Sequence, residues 1–183
     1  MERNGFVNAK LEDLAKLVSQ IETYRNTNKI EFYEPYDYQK KFHGALDSDG
    51  KPAVQRGLMA ANQIGKTLCG GAETAIHLTG LYPGWWTGHR FSKPVEWMIA
   101  STTNETTRDR CQKELFGEPT DDRCIGTGWV PLHLLGEPTR KPGVPKAYDS
   151  VLVTHVSGGL SKAYFRAYEQ GAKKFMGYRI DGG

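Results

Sequence analysis

Three consecutive residues, Gly65, Lys66 and Thr67, have the types and order needed to bind nucleotide phosphates. A lysine ammonium reaches the β- and γ-phosphate oxygens in such sites, and a threonine hydroxyl takes one coordination position on Mg²⁺. Glycine lets backbone N–H groups approach phosphate closely, and a helix that begins directly after it points its positive end at the anion. The residues assigned to nucleotide binding in this loop are Ala60, Ala61, Asn62, Gln63, Ile64, Gly65, Lys66 and Thr67.

Lys66 and Thr67 carry the catalytic roles in this hypothesis, and Thr67 is the expected Mg²⁺ ligand. The loop departs from the usual Walker A signature in one place, where Ala60 stands for the first glycine.

Two flanking elements must hold this loop in place. Residues 56–61 form a short apolar run typical of a buried strand. After the loop, apolar residues recur at the spacing of one helix face: Leu68, Ala72, Ala75 and Ile76. Gly70 and Gly71 would let that helix pack closely on a sheet. The sequence therefore predicts strand, loop and helix over residues 56–80, and the alternative is that Gly65 only breaks a strand before a helix.

Gln39 lies in an aromatic segment upstream of the loop, residues 32–42. A glutamine amide can accept a hydrogen bond from adenine N6 and donate one to N7, while a nearby aromatic ring covers the base. We therefore predict that Gln39 binds adenine. The alternative is that the aromatic residues are core and Gln39 is a solvated surface residue.

Composition favours one soluble, intracellular domain. The 183 residues include 24 basic and 21 acidic side chains, and this net charge of +3 does not by itself indicate a nucleic-acid partner. The three cysteines share no C-x-x-C spacing, which argues against a disulfide framework or a zinc site. No apolar run is long enough to span a bilayer, and residues 1–5 lack the apolar core of a signal peptide.

The N-terminal segment 8–24 carries a broad apolar stripe and predicts an amphipathic helix with Asn8 as its cap. We expect this helix to pack on the core; the alternative is docking on another protein. Trp85 and Trp86 are adjacent and cannot both face inward on one regular element, so either a partner surface or a satellite core would explain them.

The remaining elements predict an α/β fold with a mostly parallel sheet flanked by helices. Residues 95–101 form a strand pattern, and a Thr102 to Glu105 capping box opens a helix that ends near residue 116. Residues 118–150 are rich in proline and predict a looping excursion with little regular structure. The strongest strand pattern is 151–156, followed by a turn at 157–159 and a second strand at 163–168.

An ATPase also needs an acidic pair at the end of a second strand, one carboxylate for Mg²⁺ and one for the attacking water. No apolar run ending in Asp-Glu is present. Asp121 and Asp122 follow a proline-containing segment and cannot close a strand, and Glu169 is the best internal candidate although Gln170 replaces the second acid. Residues 178–183 resemble the approach to another strand. We therefore expect the chain to be truncated just before its Walker B strand.

The sequence resembles the N-terminal ATPase domain of tailed-phage terminase large subunits. The segments that carry the resemblance are Pro35-Tyr36-x-Tyr38-Gln39, Met59 to Thr67, Leu78-Thr79-Gly80-x-Tyr82-Pro83-x-Trp85-Trp86, Gly88-His89-Arg90-Phe91 and Val153-x-His155-x-Ser157-Gly158-Gly159. They run through nearly the whole chain and are more specific together than the phosphate loop alone. Alanine for the first glycine is common in this family.

The resemblance implies a P-loop NTPase of the additional-strand RecA-like type that binds ATP and Mg²⁺. It implies a motor that moves double-stranded DNA into a procapsid, with the small terminase subunit, the portal and a homo-oligomeric ring as partners and the cytoplasm of an infected bacterium as location. Residues 1–183 would be one fragment of the ATPase domain, without the family's nuclease domain. Such a fragment could be monomeric. Some members carry an arginine where this chain has Asn62. A neighbouring subunit could supply one, and the candidates are Arg90, Arg108, Arg140, Arg166 and Arg179.

Two other classes of function remain open. A glutamine upstream of a P-loop also occurs in helicase-like ATPases. Alternatively, the chain is a non-catalytic module that binds nucleotide or a partner only, because half of the hydrolytic site is absent. For the isolated fragment we expect weak Mg·ATP binding and negligible turnover.

Overall fold

A computed structural model of the protein describes residues 2–53, 55–61 and 63–183. Within them the main elements, in chain order, are α1 (Glu2–Thr27), α2 (Asp37–His43), α3 (Lys66–Thr79), β1 (Glu96–Ser101), α4 (Asn104–Thr106), α5 (Lys113–Phe116), β2 (Leu135–Arg140), β3 (Tyr148–Thr154) and β4 (Leu160–Ala167). A π-helix, Thr107–Gln112, joins α4 to α5, and short 3₁₀ helices lie in several of the connections. None of the helices in these residues combines the length and apolar character needed to cross a bilayer.

The four strands form one mixed sheet in the order β1-β4-β3-β2. β1 and β4 are parallel, whereas β4 with β3 and β3 with β2 are antiparallel. The prediction of a mostly parallel sheet is therefore wrong, although the α/β class is confirmed. The reason is the predicted turn at 157–159: Gly158 and Gly159 have φ of 88° and 87°, which reverses the chain and makes β3 and β4 a hairpin.

β2 lies inside the predicted irregular stretch 118–150, so that prediction is wrong for these residues. Pro138 and Gly136 within it disfavour a central strand. β2 occupies the edge of the sheet and pairs irregularly with β3, with register shifts on both sides of Pro138. An edge strand tolerates a residue without an N–H donor. The sequence pattern misses β2 because proline argues against a strand unless the strand is known to lie at the edge.

The predicted strand 56–61 is not observed. Residues 57–61 have no regular structure, and no described strand runs beside them to accept a β-ladder. The expected strand approach at 178–183 is confirmed: Trp97 and Gly182 form a parallel bridge, and Met98 N donates to Gly182 O at 2.9 Å. This segment lies on the side of β1 opposite β4.

Helix α1 begins six residues before the predicted start, so Asn8 lies inside the helix and does not cap it. Its apolar stripe does not pack on the core: Leu11, Leu14, Val18 and Ile21 are all exposed. The stripe follows from the sequence, but packing depends on the surfaces available to cover it.

The core forms between α3 and the sheet. Cys69, Ala72, Ala75 and Ile76 are buried on one face of α3, whereas Leu68 is exposed. Gly71 does permit close packing, though against α5 and not the sheet, because an added Cβ would lie 2.7 Å from Glu114 Cγ and 3.0 Å from Trp129 Cδ1. No Cβ contact within 4 Å explains Gly70.

The tryptophan pair belongs to this core and not to a free surface. Trp86 is buried and its Nε1 donates to His89 O at 3.0 Å. Trp85 is half-buried and its Nε1 donates to Tyr33 O at 3.3 Å. Both rings pack beside His43. The core alternative therefore holds over the partner surface, although the loop 81–91 packs on the main core and does not form a separate satellite.

The helical stretch after β1 ends as predicted, at Phe116 with Gly117 at φ of 100°. Its cap is Thr103 instead of Thr102: the Thr103 hydroxyl accepts from Thr106 N at 3.0 Å, and the predicted capping box with Glu105 is not formed. Gln112, buried in the π-helix, donates to Tyr148 O at 2.8 Å and accepts from Tyr148 N at 3.0 Å. This side chain therefore pairs with the first residue of β3 as a neighbouring strand would.

Candidate nucleotide-binding site

The loop before α3 has two residues in the left-handed backbone region. Gln63 has φ of 63° and Gly65 has φ of 86°. Glycine adopts such values at little cost, so the chain can turn sharply at Gly65 and enter the helix at the next residue. Asn62 lies outside the described residues. The predicted junction of loop and helix is therefore present at Lys66, the first residue of α3.

The first turn of α3 has backbone N–H groups for which the described part of the chain supplies no acceptor. The earliest backbone bond in this turn runs from Cys69 N to Gly65 O at 2.9 Å, and no described side chain caps the N-terminus. Among residues 55–61 and 63–183 no acceptor binds the N–H groups of α3 that precede Cys69, and the positive end of the helix favours an anion there. Thr67 is exposed in this same turn.

The Lys66 side chain folds back over the loop. Its Nζ donates to Ala60 O at 2.6 Å and to Ala61 O at 2.8 Å. These charge-assisted bonds hold the ammonium against the carbonyls of the loop. Lys66 thus lies against the loop that precedes it, and the phosphate and Mg²⁺ roles of Lys66 and Thr67 stay predictions.

Helix α2 contacts the loop through two neighbouring side chains. The Tyr38 hydroxyl donates to Ile64 O, and Gln39 Nε2 donates to Gly65 O at 3.3 Å. Gln39 is only 1% exposed, and its Oε1 accepts from Tyr36 N at 2.9 Å. The amide is therefore not a solvated surface group. Adenine binding by Gln39 stays a prediction, and it requires the amide to exchange partners that it already has.

Behind the loop lies a buried polar cluster that the sequence reading missed. Glu73 Oε2 accepts from His43 Nδ1 at 2.7 Å, Glu73 Oε1 pairs with the Arg56 guanidinium, and His77 Nε2 lies 3.6 Å from Oε1. Burial favours the neutral acid, but the two imidazoles and the guanidinium outweigh it and lower the pKa of Glu73 from 4.5 to about 2. Burial lowers the pKa of His77.

One sequence signal could have pointed to this cluster. Glu73 and His77 stand four residues apart on the face that also carries Ala72 and Ile76, and a carboxylate on an apolar helix face needs buried partners.

A cavity of about 600 Å³ opens beside Lys66 and Thr67, between α3 and β1. Its other lining residues are mostly apolar and include Ile99, Leu115 and Phe175. A larger cavity of about 690 Å³ lies on the other side of α3, against Arg56, Glu73 and His77. We relate the smaller cavity to the loop because Lys66 and Thr67 line it.

The acidic candidates do not complete the site. Glu169 is exposed, and its Oε1 accepts from Asn104 N and Nδ2, both at 2.8 Å, at the start of α4. Asp121 caps a 3₁₀ turn, and Asp122 pairs with Lys146. Among the described residues no group of three His, Cys, Asp or Glu side chains could hold a metal by itself.

The five arginine candidates differ in accessibility. Arg166 is 5% exposed and donates to Asp149 and Tyr178, so it is not free to reach a neighbouring copy. Arg108 pairs with Asp109 and donates to Pro145 O. The exposed candidates are Arg90, Arg140 and Arg179.

Comparison with known proteins identifies the family of the chain. The family model described as "Terminase large subunit, T4likevirus-type, N-terminal" matches residues 58–183. The chain is 35% identical over 187 residues to the terminase large subunit of Salmonella phage P22, in an alignment that covers 93% of this chain and 37% of that relative. The chain therefore spans little more than a third of the relative's length. No solved structure matches it significantly.

Proposed function

Since this chain belongs to the family of terminase large subunits, we propose that it is the ATP-binding part of a viral DNA-packaging motor. The observation that carries the nucleotide role is local: α3 begins at Lys66 directly after left-handed Gly65, with Thr67 exposed in its first turn. This is the arrangement that a phosphate-binding loop needs.

Each loop residue has a distinct role in the proposal. The Lys66 ammonium leaves the carbonyls of Ala60 and Ala61 and binds the β- and γ-phosphate oxygens. The free N–H groups at the start of α3 bind the same anion, and the Thr67 hydroxyl holds Mg²⁺. When bound, Mg²⁺ supplies positive charge that offsets the charge on the transferring phosphate. Thr67 suits this metal, because Mg²⁺ commonly takes few protein ligands and completes its shell with water and phosphate oxygens.

We propose that the fold is of the additional-strand RecA-like type in the whole protein. The parallel pairing of β1 with β4 and with the segment at Gly182 supports this. In the assembled motor we further propose double-stranded DNA, the small terminase subunit, the portal of the procapsid and other copies of the chain as partners. DNA would be gripped mainly through phosphates, which carry no sequence information. The bacterial cytoplasm follows as the site of action.

For the 183-residue chain itself we propose weak Mg·ATP binding with negligible turnover. Titration calorimetry with Mg·ATP tests this directly. Lys66→Ala should weaken binding about a hundredfold, or about 2.7 kcal/mol, whereas Lys51→Ala at an exposed lysine should bind as the parent does. Equal binding by the Lys66→Ala variant and the parent would refute the nucleotide site.

Turnover is measured separately by phosphate release. If the chain hydrolyses ATP at a robust rate, an internal acid must serve after all. Glu169→Gln then identifies whether Glu169 is that acid.

A further inference from the structure

Helix α2 contacts the end of the loop that leads into α3 and also contacts α3 itself. Near its start, Tyr38 and Gln39 bond to the carbonyls of Ile64 and Gly65. At its end, His43 bonds to Glu73. This helix of seven residues is therefore bonded to the loop at Ile64 and Gly65 and to α3 at Glu73.

Arg56 is the anchor at the far end of segment 56–65. Its guanidinium donates to Phe42 O at 3.1 Å, to His43 O at 3.3 Å and to the Glu73 carboxylate. Two of these acceptors are carbonyls at the C-terminus of α2, where a cation is favoured. The third lies on α3. Arg56 thereby fixes the start of the loop to both helices at once.

We propose that Glu73 is a positioning residue for the phosphate-binding loop: through Arg56 and His43 it holds segment 56–65 in the shape that binds nucleotide. This inference rests on the proposed nucleotide-binding function and deepens it. Glu73 does not touch the nucleotide. It acts from the buried face of α3, nearly two helical turns after Lys66.

The burial of Glu73 makes its negative charge depend on close partners, and makes those partners depend on a carboxylate at this position. Glu73 is 5% exposed, and an ionised carboxylate in such a place is retained only with close cationic or donor partners. The Arg56 side chain is 21% exposed, so without its carboxylate it can turn outward to water. The loop would then lose its anchor at residue 56 while Gly65 remained held. A loop that must be ordered by its ligand binds more weakly than one that is already ordered.

The test compares Mg·ATP affinity in four variants of the full chain. Glu73→Gln and Arg56→Gln should each raise the Kd about tenfold, and the double variant should bind no more weakly than the weaker single variant. Glu73→Asp retains the carboxylate and should stay within about threefold of the parent. A Glu73→Asp variant as weak as Glu73→Gln would overturn the proposal.

The control is Phe116→Leu. Phe116, at the end of α5, packs against Tyr148 and Phe165, and replacing it with leucine removes volume from the core. The Phe116→Leu variant should be less stable than the parent but should bind Mg·ATP with the same Kd. If Phe116→Leu weakens binding as much as Glu73→Gln, the role of Glu73 is only structural and the proposal fails.

A second readout needs no nucleotide. Cys69 is fully buried on α3, with its Sγ 3.5 Å from His43 Nε2, so thiol labelling of Cys69 reports separation of α2 from α3. In a Cys111→Ser, Cys124→Ser background, Glu73→Gln should raise the labelling rate about tenfold, and Phe116→Leu should raise it far less.

The two readouts separate the two hypotheses. If the parent binds no Mg·ATP, the proposed function fails for this chain, and the labelling rates alone decide whether Glu73 holds α2 and segment 56–65 to α3. Unchanged labelling in Glu73→Gln overturns the positioning role whatever the nucleotide result.

Discussion

Replacing Glu73 with glutamine should remove a defined part of the protein's acid sensitivity. Glu73 has its pKa lowered from 4.5 to about 2 in the folded state. A carboxyl with a lowered folded pKa stabilises the fold fully above its unfolded pKa and loses that contribution as pH falls towards the folded pKa. The window for Glu73 is therefore pH 4.5 down to about 2.

The magnitude follows from the shift. Lowering the pKa of Glu73 from 4.5 to about 2 corresponds to about 3 kcal/mol of stability at neutral pH, of which about 2 kcal/mol should be lost between pH 5 and pH 3. His77 adds an earlier loss: its pKa is lowered by burial, so the unfolded chain binds a proton first and stability falls as pH drops below 6.5. Glu73 raises the pKa of His77, so in the Glu73→Gln variant burial lowers the His77 pKa further and the loss from this group is larger than in the parent.

The assay is urea unfolding followed by tryptophan fluorescence at pH 7, 5, 4 and 3, because the four tryptophans report on the core and its margin. From pH 5 to pH 3 the parent should lose more stability than the Glu73→Gln variant, by up to about 2 kcal/mol, because the larger His77 loss in the variant reduces the difference. Glu34→Gln, at an exposed carboxylate, should follow the parent. Parallel losses in the parent and the Glu73→Gln variant would refute the assignment of the acid sensitivity to this cluster.

Two further substitutions test the packing around the site. Gly71→Ala should lower the free energy of unfolding by about 1–3 kcal/mol, because its Cβ would crowd Glu114 and Trp129; unchanged urea midpoints would contradict the contact. Gln112→Leu should lower the free energy of unfolding by about 3 kcal/mol, because it leaves the N–H and C=O of Tyr148 unpaired. A Gln112→Glu control can accept but not donate a hydrogen bond, so it should also be destabilised. Thermal unfolding of the parent and these two variants decides.

Local signals made part of the site predictable. Gly65 precedes a helical pattern with no spacer, so the junction of loop and helix at Lys66 follows from adjacent residues alone. The hairpin of β3 and β4 follows equally from the Gly158-Gly159 turn. The same turn also contradicts a mostly parallel sheet, because consecutive strands joined by a tight turn must be antiparallel.

Non-local contacts account for what the sequence could not supply. Glu73 meets His43 and Arg56 from 30 and 17 residues away, and no local pattern specifies such pairings. Pro138 makes β2 hard to predict, because proline is compatible with a strand at the edge of the sheet and the sequence does not show which strand that is. The stripe on α1 is periodic, yet periodicity does not state whether a partner surface exists.

The contacts of Lys66 with Ala60 and Ala61 also have a kinetic consequence. Both bonds must break before the ammonium can reach an incoming phosphate, so association proceeds in two steps if the nucleotide binds here. At high nucleotide concentration the observed rate would level off at the rate at which the lysine leaves its own loop. Lys66 would thus both bind the phosphate and limit the rate at which the nucleotide binds.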